Sequence, residues 1–209
     1  AAVIIKNVIG ALLCVMEMEL DSFTFLVTDV GGDAVDVFHN TDRVFENVCV
    51  DLLENGQVDF IVTNYPNSRI SNTNRIHTIK KFQDVFAANR TFFDLEDREF
   101  SFEELLDYPI LMLDRQSTTS EFLHNLFLQH QLELMPEVEL SSNDLLIDLA
   151  RIGLGIAFIP DYCLQKETTD LYIVETKEKL PARQMVAAIN PTLPISQSTE
   201  EFLKLLPEI

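Results

Sequence analysis

Hydrophobic positions along the chain fall into short clusters whose period switches repeatedly between two and about 3.6. "FTFLV" (Phe23 to Val27) is aromatic and β-branched and predicts a strand. "TDVGGDAVDVF" follows as a turn with a helix start, Asp33 serving as N-cap. "VFENVCVDLLENG" sets Val44, Val48, Val50, Leu52 and Leu53 on one broad helical face. Asn55 and Gly56 end that helix, because glycine accepts a positive φ. "QVDFIVTNYP" predicts a short buried strand with a polar end, and "NSRISNTNR" a loop. "IHTIKKFQDVFAA" alternates early and reads as one long strand crossing between two lobes.

In the second half, "SFEELLDYP" is a short helix whose Ser101 and Glu104 are spaced as a capping box. "ILMLD" is a strand, and "STTSEFLHNLFLQHQ" a helix with Phe122, Leu123, Leu126 and Phe127 inward. "EVELSS" is a strand, "NDLLIDLARIG" a helix, and "LGIAFIP", "LYIVET" and "RQMVAAIN" are strands. "ISQSTEEFLKLL" is the closing helix, and "AAVIIKNVIGALLCVMEMEL" reads as an amphipathic helix behind a clipped strand. This alternation with short links predicts an α/β fold, its sheet parallel or mixed and covered by helices on both faces. "ARIGLGIAFIP" carries the sharpest pivot. The helix ends at Gly153 in a left-handed turn, Gly155 lets the next strand lie close to its neighbours, and Pro160 stops that strand.

Composition narrows the class. A chain of 209 residues, 47% of them hydrophobic, has ample core for one or two domains. Its formal net charge of −19 repels a phosphate backbone, so DNA or RNA is not expected to bind this chain itself. No apolar run is long enough to span a bilayer, and no membrane partner is expected. The apolar start lacks a basic segment and is interrupted by glutamates, which argues against a signal peptide. With no initiating Met, the chain reads as part of a longer protein. Cys14, Cys49 and Cys163 form no disulfide framework, and the cytoplasm is the expected compartment.

Catalytic patterns are missing. His124 and His130, six apart on one helix, face different directions, and His39 and His77 have no patterned partners. No GxSxG, Walker loop, HExxH or paired-glycine fingerprint occurs, and "DLEDRE" lacks calcium-loop spacing. Neither an enzyme, a metal nor a cofactor is expected. Cys163 has no basic residue within two positions to lower its pKa for redox sensing. Arg115, Lys80, Lys81 and Arg183 are cations for an anionic ligand or, more commonly for such residues, surface charges.

"SSNDLLIDLARIGLGIAFIP" resembles the signature of the effector-binding domain of LysR-type transcriptional regulators. "LLENGQVDFIV", "SFEELLDYPILMLDRQSTTSEF" and "ISQSTEEFLKLL" resemble three further units of that family in the right order. The resemblance covers roughly residues 20 to 206. It implies two Rossmann-like lobes joined by two crossing strands, similar to type 2 periplasmic binding proteins. Lobe I would be 1–79 plus 181–209 and lobe II 80–180, with crossings near Ile79 to Lys81 and Glu178 to Pro181. The family's N-terminal winged helix-turn-helix is not in this chain. Its Ser/Thr turn usually runs into an arginine, where Ser120 stands here.

In that fold a small-molecule effector sits between lobes, at strand ends faced by helix N-termini. The residues at such ends are Gln116, Ser117, Thr118 and Thr119; Thr63, Asn64 and Tyr65; Thr28 and Gly31; and Ser142. Thr118 with Glu121 also fits a capping box, and Ser142 also fits an N-cap, so both roles stay open. The resemblance implies effector sensing signalled by interlobe rearrangement, the effector being an organic acid or an amino acid. It implies a homodimer, a tetramer in the full-length protein, and DNA contact only through the absent N-terminal domain. The alternatives are a periplasmic-type solute-binding protein for transport and, last, an enzyme using the same cleft.

Overall fold

The computed structural model describes residues 2–5, 25–29, 35–39, 46–164 and 170–206. The chain divides into two compact units, one of Ala1–Lys81 with Gln184–Ile209, the other of Phe82–Arg183.

The continuous unit holds a five-stranded sheet with β6 (Asp84–Asn89), β7 (Ile110–Leu113), β8 (Val138–Leu140), β9 (Ile156–Pro160) and β10 (Leu171–Val174), in the order β10-β6-β9-β7-β8. β7 pairs in parallel with both β8 and β9, whereas β6 is antiparallel to β9 and β10. Each parallel step requires a crossover helix, and the sequence supplies two: α3 (Thr118–Gln129) and α4 (Asn143–Arg151). The side-chain period of two sorts the strands onto two cores. Phe86, Ala88, Ile110, Met112, Ile156 and Phe158 face one core with Leu123, Leu126 and Phe127 of α3. Ala87, Leu111, Leu113, Ala157 and Ile159 face the other with Leu146, Ile147 and Ala150 of α4. Burying Leu146 or Ile147 there contributes roughly 1.5–3 kcal/mol per side chain.

The short helix α2 (Phe102–Leu105) carries the expected capping box. Glu104 N–H donates to Ser101 Oγ at 3.2 Å, and Ser101 N–H donates to Glu104 Oε2 at 2.7 Å. The pivot after α4 also forms as its residues dictate. Gly153 takes φ +78, and a Cβ on Gly155 would stand 2.4 Å from the Pro109 carbonyl oxygen.

In the discontinuous unit, β1 (Ala2–Ile5), β2 (Phe25–Asp29), β3 (Val35–His39), β4 (Phe60–Tyr65), β11 (Arg183–Ile189) and β5 (Arg75–Phe82) form a sheet ordered β1-β3-β2-β4-β11-β5. Here β1 to β3, β3 to β2, β2 to β4 and β4 to β11 are all antiparallel. Helix α1 (Glu46–Glu54) packs Cys49, Val50 and Leu53 on Ile61 and Ala188, and Gly56 ends the turn after it at φ +68. Phe60, whose side chain points the other way from Ile61, stacks on Phe202 of α5 (Gln197–Leu205), centroids 5.0 Å apart.

Two expectations need correction. Residues 35–39 are a strand and not a helix start, because β-branched Val35 and Val37 alternate with their neighbours and pair across to β2. "IHTIKKFQDVFAA" is two strands in two sheets, β5 and β6, broken at Gln83. The clipped strand expected at the start of the chain is present as β1, residues 2–5, and the helix expected behind it falls outside the described residues.

Candidate functional site

Strand β7 delivers the Gln116–Thr119 segment to the carboxyl edge of its sheet. The turn is fixed by Asp114, whose N–H donates to the Leu140 carbonyl at 2.8 Å. Its carboxylate accepts the Gln116 N–H at 3.0 Å, and its carbonyl the Ser117 N–H at 3.0 Å. Ser117 then caps α3, its Oγ accepting the N–H groups of Thr119 (3.1 Å) and Ser120 (3.3 Å). The expected capping box on Thr118 does not form: the cap is one residue earlier, at Ser117, and Ser120 stands where a box needs Glu or Gln. Thr118 already has helical backbone, and Ser117 keeps the extended φ and ψ that a cap requires. Gln116 is exposed, Ser117 half-buried, and Thr118, Thr119 and Ser120 are buried.

Ser142 follows β8 at the same edge, one strand over, at the N-cap position of α4, but its side chain makes no cap hydrogen bond. The continuous unit thus brings Gln116, Ser117, Thr118, Thr119 and Ser142 to one edge of one sheet.

In the discontinuous unit, Thr63, Asn64 and Tyr65 end β4 opposite Val186, Met185 and Gln184 of β11. Thr63 is buried, and Asn64 and Tyr65 are partly so. Asn67 Nδ2 donates to Thr63 Oγ1 at 3.5 Å. Thr28 does not join this group. Because β2 runs antiparallel to β4, with Val27 opposite Phe60, Thr28 lies at the other end of the sheet. Gly31 lies outside the described residues.

Arg183 is the residue that sequence reasoning misplaced. It is no surface charge but is 1% exposed, among the largest fully buried side chains of the described residues. Its Nη1 donates to Asp84 Oδ2 at 2.8 Å and to Thr119 Oγ1 at 3.1 Å. The rings of Phe82 and Phe122 lie 5.5 and 5.0 Å from the guanidinium carbon. Arg183 Nε and Nη2, Asp84 Oδ1 and Ser120 Oγ are buried with no protein partner. Burial pushes the Asp84 carboxyl above its ordinary value, Arg183 pulls it back by charge and hydrogen bond, and Asp161 adds a further push upward. The sequence held one signal for this pair: a carboxylate between Phe82 and Val85 in an apolar run demands a buried cation.

Arg115, by contrast, is exposed and pairs with Glu139 at 3.3 Å. Burial and nearby Arg115 lower the His124 pKa. Cys163 is buried against the α4 face of the sheet. Among the described residues no group of three His, Cys, Asp or Glu side chains is placed to hold a metal, and no helix is long and apolar enough to cross a membrane.

Residues 43–208 match the family model for the LysR substrate binding domain. The chain belongs to that family. This LysR substrate-binding domain accordingly has the type 2 periplasmic-binding-protein-like fold expected from its sequence, and the family assignment favours regulation over transport. Similar solved structures include the Synechocystis PCC6803 CcmR regulatory domain in complex with 2-PG, at 23% identity over 75% of each chain and a TM-score of 0.66. The regulatory domain of HypT from Salmonella typhimurium, bromide ion-bound, is 21% identical over 78% of this chain and 77% of that one, with a TM-score of 0.62. The effector-binding domain of QuiR in complex with shikimate is 14% identical over 74% and 73%, with a TM-score of 0.62. At such identities the likeness is one of fold. No curated protein sequence matches the domain.

Proposed function

We propose that this LysR substrate-binding domain is the small-molecule sensor of a transcriptional regulator. The candidate effector contacts within the Phe82–Arg183 unit are the polar strand ends at Gln116–Thr119 and Ser142, and within the other unit Thr63–Tyr65. The observation that carries this reading is the family match over residues 43–208, joined to polar residues at the ends of β4, β7 and β8. The complexes of relatives with 2-PG and with shikimate support a small organic effector, an organic acid or an amino acid being the expected class. DNA is then reached through a separate domain of the same regulator, since a net charge of −19 disfavours direct contact. The reading includes a cytoplasmic homodimer without catalytic activity.

A thermal-shift panel of organic acids, amino acids and sugar phosphates on the 209-residue chain tests the proposal. A ligand at a hundred times its Kd stabilises the native state by about 2.7 kcal/mol, a shift of several degrees. At least one compound is expected to do so, and Thr119→Val is expected to weaken it. A folded chain indifferent to every class would end the sensing reading.

A further inference from the structure

Arg183 is held in one orientation. Its Nη1 donates both to Asp84 and to Thr119, and Phe82 and Phe122 lie against the guanidinium. What remains is the side edge of the fork, Nε–H and the adjacent Nη2–H, buried and without a protein partner. These two N–H bonds are parallel and spaced as the two oxygens of a carboxylate, the geometry of a bidentate pair. A second donor stands beside it. An arginine can only donate, so the Thr119 hydroxyl acts as acceptor toward Nη1, and its own proton is directed to another group. The N–H groups of Thr119 and Ser120, in contrast, are already taken by Ser117. Anion recognition at the start of α3 therefore falls to side chains rather than to the helix backbone.

We infer that Arg183, through its Nε–Nη2 edge, and Thr119, through its hydroxyl proton, receive a carboxylate of the effector. This rests on the sensing reading and adds to it the group of the effector that is recognised and a receptor residue from a distant part of the chain. Arg183 stands 63 positions past Ser120 in the sequence (183 − 120), yet it is bonded to the start of α3 through Thr119. Asp84 already balances the charge of Arg183, so selection among ligands comes from the paired hydrogen bonds more than from net charge.

The test compares succinate, benzoate and phenylacetate with succinamide, benzamide and phenylacetamide on the 209-residue chain by thermal shift and titration calorimetry, with inorganic phosphate and glucose 6-phosphate as further arms. A carboxylate is expected to bind at least about tenfold more tightly than its amide, and Arg183→Lys, which keeps the charge but loses the side edge, is expected to remove most of that difference. Equal binding of acid and amide, or an undiminished preference in Arg183→Lys, overturns the inference. So does stabilisation only by phosphate, by glucose 6-phosphate or by uncharged members of the wider panel, and in that case sensing itself stands. No shift with any compound removes the sensing reading and this inference with it. If Arg183→Lys does not fold, the acid-to-amide comparison on the unaltered chain decides.

Discussion

The strand–helix–strand units β7–α3–β8 and β8–α4–β9 follow one another in the same sheet with the same parallel geometry, yet their helices begin and end differently. At the start of α3, Ser117 at φ −81 turns its hydroxyl onto two helix N–H groups. At the start of α4, Ser142 at φ −137 makes no such bond. At the far end, both helices reverse through a left-handed residue, but α3 uses Gln131 at φ +60 and α4 uses Gly153 at φ +78. The same closing bond follows in each: Leu132 N–H to the Phe127 carbonyl, and Leu154 N–H to the Leu149 carbonyl, both at 3.0 Å. The lesson is that a serine before a helix is not yet a cap. A few tens of degrees in φ decide whether its hydroxyl is committed to the helix or left for another partner.

The comparison can be broken at several points. The largest effect is expected at Asp84. Through Arg183 and Thr119 it anchors the start of α3, and Asp84→Ala leaves a buried guanidinium unpaired at a cost of about 3–5 kcal/mol. Urea unfolding would read this as a drop in midpoint, and a loss below 1 kcal/mol would mean that the α3 start does not depend on the pair. Gly153→Ala comes next. A left-handed alanine costs about 1–2 kcal/mol, and its Cβ would stand 2.2 Å from Phe92 Cγ, so that ring must also move.

Smaller effects separate the two serines. Ser117→Ala should lose about 1 kcal/mol and Ser142→Ala under about 0.5 kcal/mol, and equal losses in thermal melts would erase the distinction drawn above. Gln131→Gly is expected to have the opposite sign, a gain of about 0.5–1 kcal/mol from relieving the left-handed backbone, although glycine also loosens the unfolded chain.

The third helix start supplies the weakest test. At α2, the bonds from Lys177 and Ser101 hold the Glu104 carboxyl at about 2, below its usual 4.5. A depressed folded-state pKa gives stability that is present above pH 4.5 and lost as the pH falls toward 2, so Glu104→Gln should flatten melting temperature against pH across that window. Asp84 works in the other direction. Its raised pKa favours the folded state at low pH and withdraws that advantage as the carboxyl ionises.

What the sequence made legible was whatever depended on near neighbours. Gly153, Gly155 and Pro160 fix the α4–β9 pivot by backbone rules alone, and Ser101 with Glu104 closes its box within one turn. Residues 35–39 were harder, because four or five positions of mixed polarity fit either period and only the pairing with β2 selects the strand. Thr118 against Ser117 was an ambiguity of one residue, settled by backbone angles that no motif records. Arg183 escaped for a different reason. Its partner Asp84 lies 99 positions earlier, and a cation near a chain crossing looks like surface until the carboxylate it answers is found.

The order of the strands also bears on how the chain is made. β11 lies between β4 and β5, yet it is contributed by Gln184–Ile209, a segment made only after the whole Phe82–Arg183 unit. During synthesis the Phe82–Arg183 unit is complete while the other still lacks an inner strand, leaving the flanks of β4 and β5 as open edges of the kind that invite pairing with another nascent chain. A stop codon shortly before Gln184 would make that interval permanent, so a truncation there is expected to yield aggregates rather than a shortened sensor.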